Sequence, residues 1–469
     1  MKKMLEKIKN KFKNMTKHDV VLFIMPILTG LFFLYVYAPG IYNFDTFSQI
    51  IQINNMEFTT GNPFISTLYI MFFVKFLNCK LLLPIFQLLW FSFMWSNLLK
   101  YNRKNINNKK VLALQYIITI LLSVNPLIML IVITNSKDSL FMLIFFMICL
   151  ILQRIIDQKY NCKNILYVAL AIFLAIFMSI RYNGLYAGYL FVFFLIIMML
   201  IKLKGKLKLK SLIFGVSLIL SIFLLKSTSL FFNVTDSNIT SYGMGKCKAL
   251  QLNGYLLRNN ILTDKEKVVL SKYVDLESLN ENSYNTTFLD PVLTTKVTDY
   301  LNNHESEYIK ESIKIALNHF ESSLKFYFLS SEMVWYPILP DTTYASYVWL
   351  DIATSNRVDG YYYYNENTKI FKIVDRLLRR SNLNNLSIVT LYSPAVYFYL
   401  SLVFMIILII KHHKKYFMML LLNIINVVII SFSIPVPTTR LLYNNYIIAF
   451  ILASLMISVI LGKRDIPDC

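Results

Sequence analysis

A chain of 469 residues with 56% hydrophobic and 15% aromatic side chains and a mean hydropathy of +0.53 is too apolar for the two or three soluble domains its length would allow. The formal charge of +21 does not mark a nucleic-acid binder, because the clustered Lys and Arg fall between apolar runs and not on one soluble segment. Five cysteines without a CxxC pair offer neither a disulfide framework nor a zinc site.

The leader "MKKMLEKIKNKFKNMTKH" is basic and amphipathic, and no small-residue cleavage site follows it. Residues 1–19 therefore read as a cytoplasmic N-terminus. Apolar runs of spanning character follow at 20–38, 64–78, 81–99, 111–133, 139–154, 164–180, 185–202 and 211–231, then at 391–411, 416–433 and 440–461. The basic loops "KYNRKNINNKK" (100–110), "QRIIDQKYNCKN" (153–164), "KLKGKLKLK" (202–210) and "KHHKKY" (411–416), with the tail 462–469, belong on the cytoplasmic side. That orientation sends Asp45, "NSKDS" (135–139), "RYNG" (181–184), all of 232–390 and "IPVPTTR" (434–440) outside. Parity then requires one of 64–78 and 81–99 not to cross fully, and the short 64–78 with its internal Lys75 is the better candidate. Ten crossings and one partial segment result.

The expected architecture is an all-α polytopic membrane protein. A membrane module spans 20–231 with an outer loop at 39–63, and a mainly α extracytoplasmic domain occupies 232–390 before the C-terminal membrane helices of 391–461. In the domain, "DKEKVVLSKYVDLE" (264–277) and the stretch 304–336 carry helical periodicity, the second with a break, while 340–390 reads as loop. The tryptophans of "MVWYP" and "YASYVWLD", Trp335 and Trp349, suit an interfacial aromatic belt or stacking on sugar rings. Lys, Asn and Ile enrichment suggests an AT-rich bacterial genome and a bacterial plasma membrane as the location.

Charges at the ends of apolar helices need pairing or a function. Asp45, Lys137, Asp138, Arg181, Asn183 and Arg440 fall at one expected depth on the outer side. Each has an ordinary alternative. Asp45 and Asp138 suit helix caps, Arg181 and Arg440 suit snorkelling to headgroups, and Lys137 beside Asp138 suits a surface pair.

Order and spacing add to this. An Asp after the first helix ("NFDTFSQI"), a Pro opening the next segment ("GNPFISTLYI"), an "NP" followed by "NSKDSLF" and the later "RYNG" resemble the GT-C glycosyltransferases over residues 18–205. The branch is that of protein mannosyltransferases and aminoarabinose transferases. The resemblance implies a GT-C-like helical module that moves a sugar from a polyprenyl-phosphate carrier to a glycan, lipid or protein acceptor, with inversion. It implies catalytic roles for Asp45, as base, and for Asp138, as helper. Arg181, Lys137 and Arg440, in that order, would bind the donor phosphate, and Asn183, Glu57 and Tyr42 would support them. Where relatives often carry His-Pro, this chain has Asn62-Pro63, and Glu57 alone could serve as a second acid in the first outer loop. Some members use a divalent metal, but no ligand cluster stands out here, so no cofactor is assigned. Two rivals remain. An O-antigen-type polymerase or ligase would draw on His304, His319 and Arg357, whereas a lipid-linked saccharide transporter or flippase would need mid-membrane charges and a half-repeat that the sequence lacks.

Overall fold

The computed structural model describes residues 16–104, 106, 108–202, 208–235, 244–286, 292, 294–338, 363–378, 385–434 and 439–462. The leader before Thr16, Trp349, Arg357 and the tail from Lys463 lie outside the described residues. Among the described residues the chain is helical, and its only β pairing is three isolated bridges.

The helices of the first part are α1 (Lys17–Val36), α2 (Phe44–Asn55), α3 (Phe64–Met71, continuing as a π turn to Phe76), α4 (Leu82–Arg103), α5 (Lys109–Val124) and α6 (Pro126–Ile133). They are followed by α7 (Lys137–Asp157), α8 (Asn164–Ile180), α9 (Tyr182–Lys202) and α10 (Lys208–Phe231). A second set comprises α11 (Met244–Arg258), α12 (Asp264–Leu270), α13 (Leu276–Asn282), α14 (Asp299–Asn303), α15 (Glu305–Asn318), α16 (Phe320–Ser330) and α17 (Glu332–Trp335). The chain closes with α18 (Lys369–Leu378), a short helix Asn385–Ser387 with a π turn to Tyr392, α19 (Pro394–Ile410), α20 (Phe417–Ser433) and α21 (Tyr443–Gly462).

Among the described residues, seven helices are long and apolar enough to cross a membrane, and two bent pairs would bring the number to nine. The apolar run 111–133 is not one rod. It bends by 65° between α5 and α6, because Pro126 lacks the N–H that would continue α5 and Asn125 caps the new helix by accepting from the Ile128 N–H at 3.1 Å. Pro394, which likewise lacks an N–H, stands at the 55° bend before α19, though there Ser393 makes no side-chain capping bond. The helix α7 is buried along nearly its whole length and forms the axis of the bundle, with α4, α8 and α21 packed against it.

The two ends of the bundle are chemically distinct. At one, Asp19 of α1 accepts from Arg103 at 2.6 Å and lies 3.2 Å from Lys100, both at the end of α4. α1 and α4 are therefore antiparallel, and α4 starts at the same end of the bundle as α2. Between them, α3 and its π turn stay beside α2. Gln49 reaches Ser66 and Thr67 at 2.8 and 3.0 Å, and Lys75 donates to the Ile53 carbonyl at 3.2 Å. The segment 64–76 thus makes no separate passage to the Asp19 end.

Helices α11–α16 have a core of their own built from Leu250, Leu256, Leu270, Tyr273, Leu301, Tyr308 and Phe326. α11 escapes the periodicity reading because Gly245 and Gly254 interrupt it. Gly254 is needed for a close approach, since a Cβ there would stand 1.8 Å from Ser283 Oγ. α18 also departs from the expected loop. Phe371, Val374 and Leu378 form its packed stripe, and Phe371 meets Tyr37 and Tyr363 at 5.4 and 5.5 Å between ring centroids.

Candidate functional site

The chain between α1 and α2 is fastened to the start of α7. Ile41 bridges Thr134, with Ile41 N–H donating to the Ile133 carbonyl at 3.3 Å and Asn135 N–H donating to the Ile41 carbonyl at 2.8 Å. Gly40, at φ +122°, permits this, because a Cβ would lie 2.6 Å from the Asn135 amide nitrogen. Thr46 adds a hydroxyl bond to the Asn135 carbonyl at 2.6 Å. The clamp sets the N-termini of α2 and α7 side by side.

Neither acid is a cap. Asn43 caps α2 by accepting from Thr46 N–H at 2.9 Å, and Ser136 caps α7 by accepting from Asp138 N–H at 3.2 Å. Asp45 and Asp138 instead sit in the first turns, where the helix dipole favours a negative charge. Their side chains are free to meet cations from elsewhere.

Asp45 does so twice. Its Oδ2 accepts from Arg440 at 2.7 Å and lies 3.1 Å from Lys137 Nζ. Lys137 also donates to Asn62 Oδ1 at 2.9 Å, so the residue before Pro63 holds the lysine. Burial alone would raise the Asp45 pKa, but Lys137 first and then Arg440 outweigh it and hold the carboxyl well below its ordinary range. Asp45 is still 29% exposed, Arg440 22% and Lys137 12%. All three keep some exposed surface.

Asp138 and Arg181 form a second, deeper ion pair, with side chains 1% and 8% exposed. Arg181 Nε donates to Asn183 Oδ1 at 3.1 Å, Asn183 donates onward to Asn426 Oδ1 of α20 at 2.8 Å, and the guanidinium lies over the Phe141 ring at 5.9 Å. Asp138 Oδ2 is buried without a hydrogen-bond partner among the described residues. Asp45 and Arg440 are within electrostatic reach of Arg181, and Tyr443 lies near both arginines. The cluster holds three cations and two carboxylates, leaving one positive charge in excess.

The three candidate cations are not equivalent. Arg181 is occupied by Asp138 in the interior, so Lys137 and Arg440 are the cations that flank Asp45. Glu57 stands apart. It is exposed just beyond Met56, whose left-handed φ of 58° ends α2, and it makes no ion pair with a described residue. Tyr42 is buried in the apolar cluster under α2, stacked on Phe47 at 5.9 Å. Of the residues a polymerase or ligase would use, His319 is bound to Glu266 at 2.8 Å, and His304 Nδ1 lies 3.0 Å from the Tyr300 carbonyl oxygen. Among the described residues no group of three His, Cys, Asp or Glu side chains could hold a metal ion.

Asn426 and Tyr443 were not singled out from the sequence, and Asn62 was noted only for its place before Pro63. Asn426 and Tyr443 sit inside apolar runs, where only packing reveals what they face. No family model, curated protein or solved structure matches the chain.

Proposed function

We propose that this chain is a membrane glycosyltransferase that moves a sugar from a polyprenyl-phosphate carrier to an acceptor hydroxyl at the extracytoplasmic surface of a bacterial plasma membrane. The observation that carries this reading is Asp45 held between Lys137 and Arg440 at the polar end of an apolar bundle, in a cluster with one excess positive charge. A phosphate leaving group is stable as an anion and needs neutralising cations more than a strong acid. Arg440 offers the paired donors that fit phosphate oxygens, and Lys137 a mobile point charge.

In the transfer, the acceptor oxygen forms a bond to the anomeric carbon as the bond to the phosphate oxygen breaks. The bonding electrons leave on the phosphate, and the acceptor proton passes to Asp45. One displacement by one nucleophile inverts the anomeric centre.

The low Asp45 pKa makes the carboxylate a poor base while Lys137 and Arg440 hold it. A bound phosphate would draw Lys137 and Arg440 away from the carboxylate and raise its basicity, coupling donor binding to base activation. Asp138 and Arg181 then serve as a buried brace behind the reacting groups. The test is transfer of radiolabelled hexose from a polyprenyl-phosphate donor in membranes carrying the chain. Wild-type membranes yield labelled acceptor and D45N membranes do not, whereas equal labelling would overturn the reading.

A further inference from the structure

Lys248 lies outside that cluster and has no part in the proposed transfer. It sits on α11 with 3% exposure, and among the described residues no carboxylate pairs with it. Its Nζ donates to Ser330 Oγ at 2.7 Å and to the Ile434 carbonyl at 3.1 Å, and lies over the Phe326 and Tyr327 rings at 5.1 and 5.6 Å. An ammonium has three donors, so one remains. Without a counter-charge, burial pushes its pKa down to about 7.

Lys248 lines a cavity of about 310 Å³ between α11, α15, α16 and the end of α20. Ser323, also on the wall, is 3% exposed, and among the described residues its hydroxyl has no hydrogen-bond partner. Apart from Ser312, Ser433 and Tyr327, the other walls are apolar. Ile313, Leu317 and Phe320 border the cavity and are 54%, 65% and 62% exposed, an unusual amount of large apolar surface to leave to water. Phe432 and Val428 continue the same exposed apolar strip down α20, one of the helices apolar enough to span. An uncompensated cation and a hydroxyl thus sit just past the end of a spanning helix, with an apolar track leading away from them along that helix.

We propose that this cavity is a binding site for an anionic phospholipid, with the phosphate on Lys248 and Ser323 and an acyl chain along Phe432 and Val428. The phosphate supplies the missing counter-charge, and the chain covers the exposed strip. The apolar walls select a lipid over a free anion. The site shares no residue with the Asp45 cluster and is independent of sugar transfer.

The test uses the purified, delipidated full chain, offered phosphatidylglycerol or phosphatidylcholine in mixed micelles and read by native mass spectrometry. The wild type retains one phosphatidylglycerol at least tenfold over phosphatidylcholine, and millimolar inorganic phosphate does not displace it. K248M falls to the phosphatidylcholine level, and K248R keeps the preference. A316F, which fills the cavity from α15, loses retention with Lys248 intact and decides the matter should K248M fail to fold. Equal retention of the two lipids, no retention of either, displacement by inorganic phosphate, or unchanged retention in folded K248M or A316F would overturn the proposal.

Discussion

Replacing Asp138 by Asn should destabilise the bundle more than any other single change at the cluster. The side chain is 1% exposed and its partner Arg181 8%, so D138N leaves a guanidinium in the interior without its paired carboxylate, keeping Asn183 Oδ1, the Phe141 ring and the more distant Asp45. Arginine cannot shed its proton to relieve this. Breaking one partner of a buried pair typically costs about 3–5 kcal/mol, and even 3 kcal/mol is more than a hundredfold in the folded-to-unfolded ratio, at roughly 1.4 kcal/mol per factor of ten. Removing both charges with D138L/R181M should return most of that loss, because an apolar pair needs no desolvation. The buried thiols of Cys149, Cys162 and Cys247 report the transition, since a thiol-reactive fluorophore labels them only on opening, against the exposed Cys79 as background. The half-temperature of labelling should fall for D138N and recover in the double variant. A D138N that labels like wild type, or a double variant no better than D138N, would refute the brace.

At Glu266, burial would raise the pKa, but the hydrogen bond from His319 and those from Thr263 and Asn318 pull it down to about 2. A depressed carboxyl contributes stability above its unfolded pKa and loses it as pH falls through the folded value, here between the ordinary 4.5 and about 2. E266Q should lower stability at neutral pH by about 1 kcal/mol, after allowing for solvent screening. It should also flatten the acid loss of helical signal over that window, measured by circular dichroism. G254A places a Cβ 1.8 Å from Ser283 Oγ, and such overpacking should cost about 1–3 kcal/mol in the same assay, with S283G restoring part of it.

Much of the helical layout is legible from apolar run length. Each of the eleven apolar runs corresponds to a helix or a bent helix pair. What periodicity could not see was local chemistry acting within a run. Pro126 and Pro394 bend two of them, and the glycines of α11 and the charges of α18 hide real helices. The charged residues of the site were visible one by one, because carboxylates and arginines beside lipid need a reason. Their pairing was not. Asp45 and Arg440 are separated by 395 positions, and nothing local decides that Arg440, rather than Arg181, reaches Asp45. That choice comes from the clamp between Ile41 and Thr134 and from the path of α21, which are matters of packing. Asn62 is the reverse case. Its place before Pro63 is local and legible, and its amide oxygen accepts from Lys137.

The central claim is that one carboxylate competes with the donor phosphate for Lys137 and Arg440 and then takes the acceptor proton. Its most direct test is to measure polyprenyl-phosphate affinity and the rate of sugar transfer side by side in the wild type and in D45N. With the competing carboxylate gone, phosphate should bind at least as tightly, while transfer falls by about 10²–10⁴-fold, the contribution of a positioned base. Affinity and transfer falling together, or transfer persisting in D45N, would contradict the account.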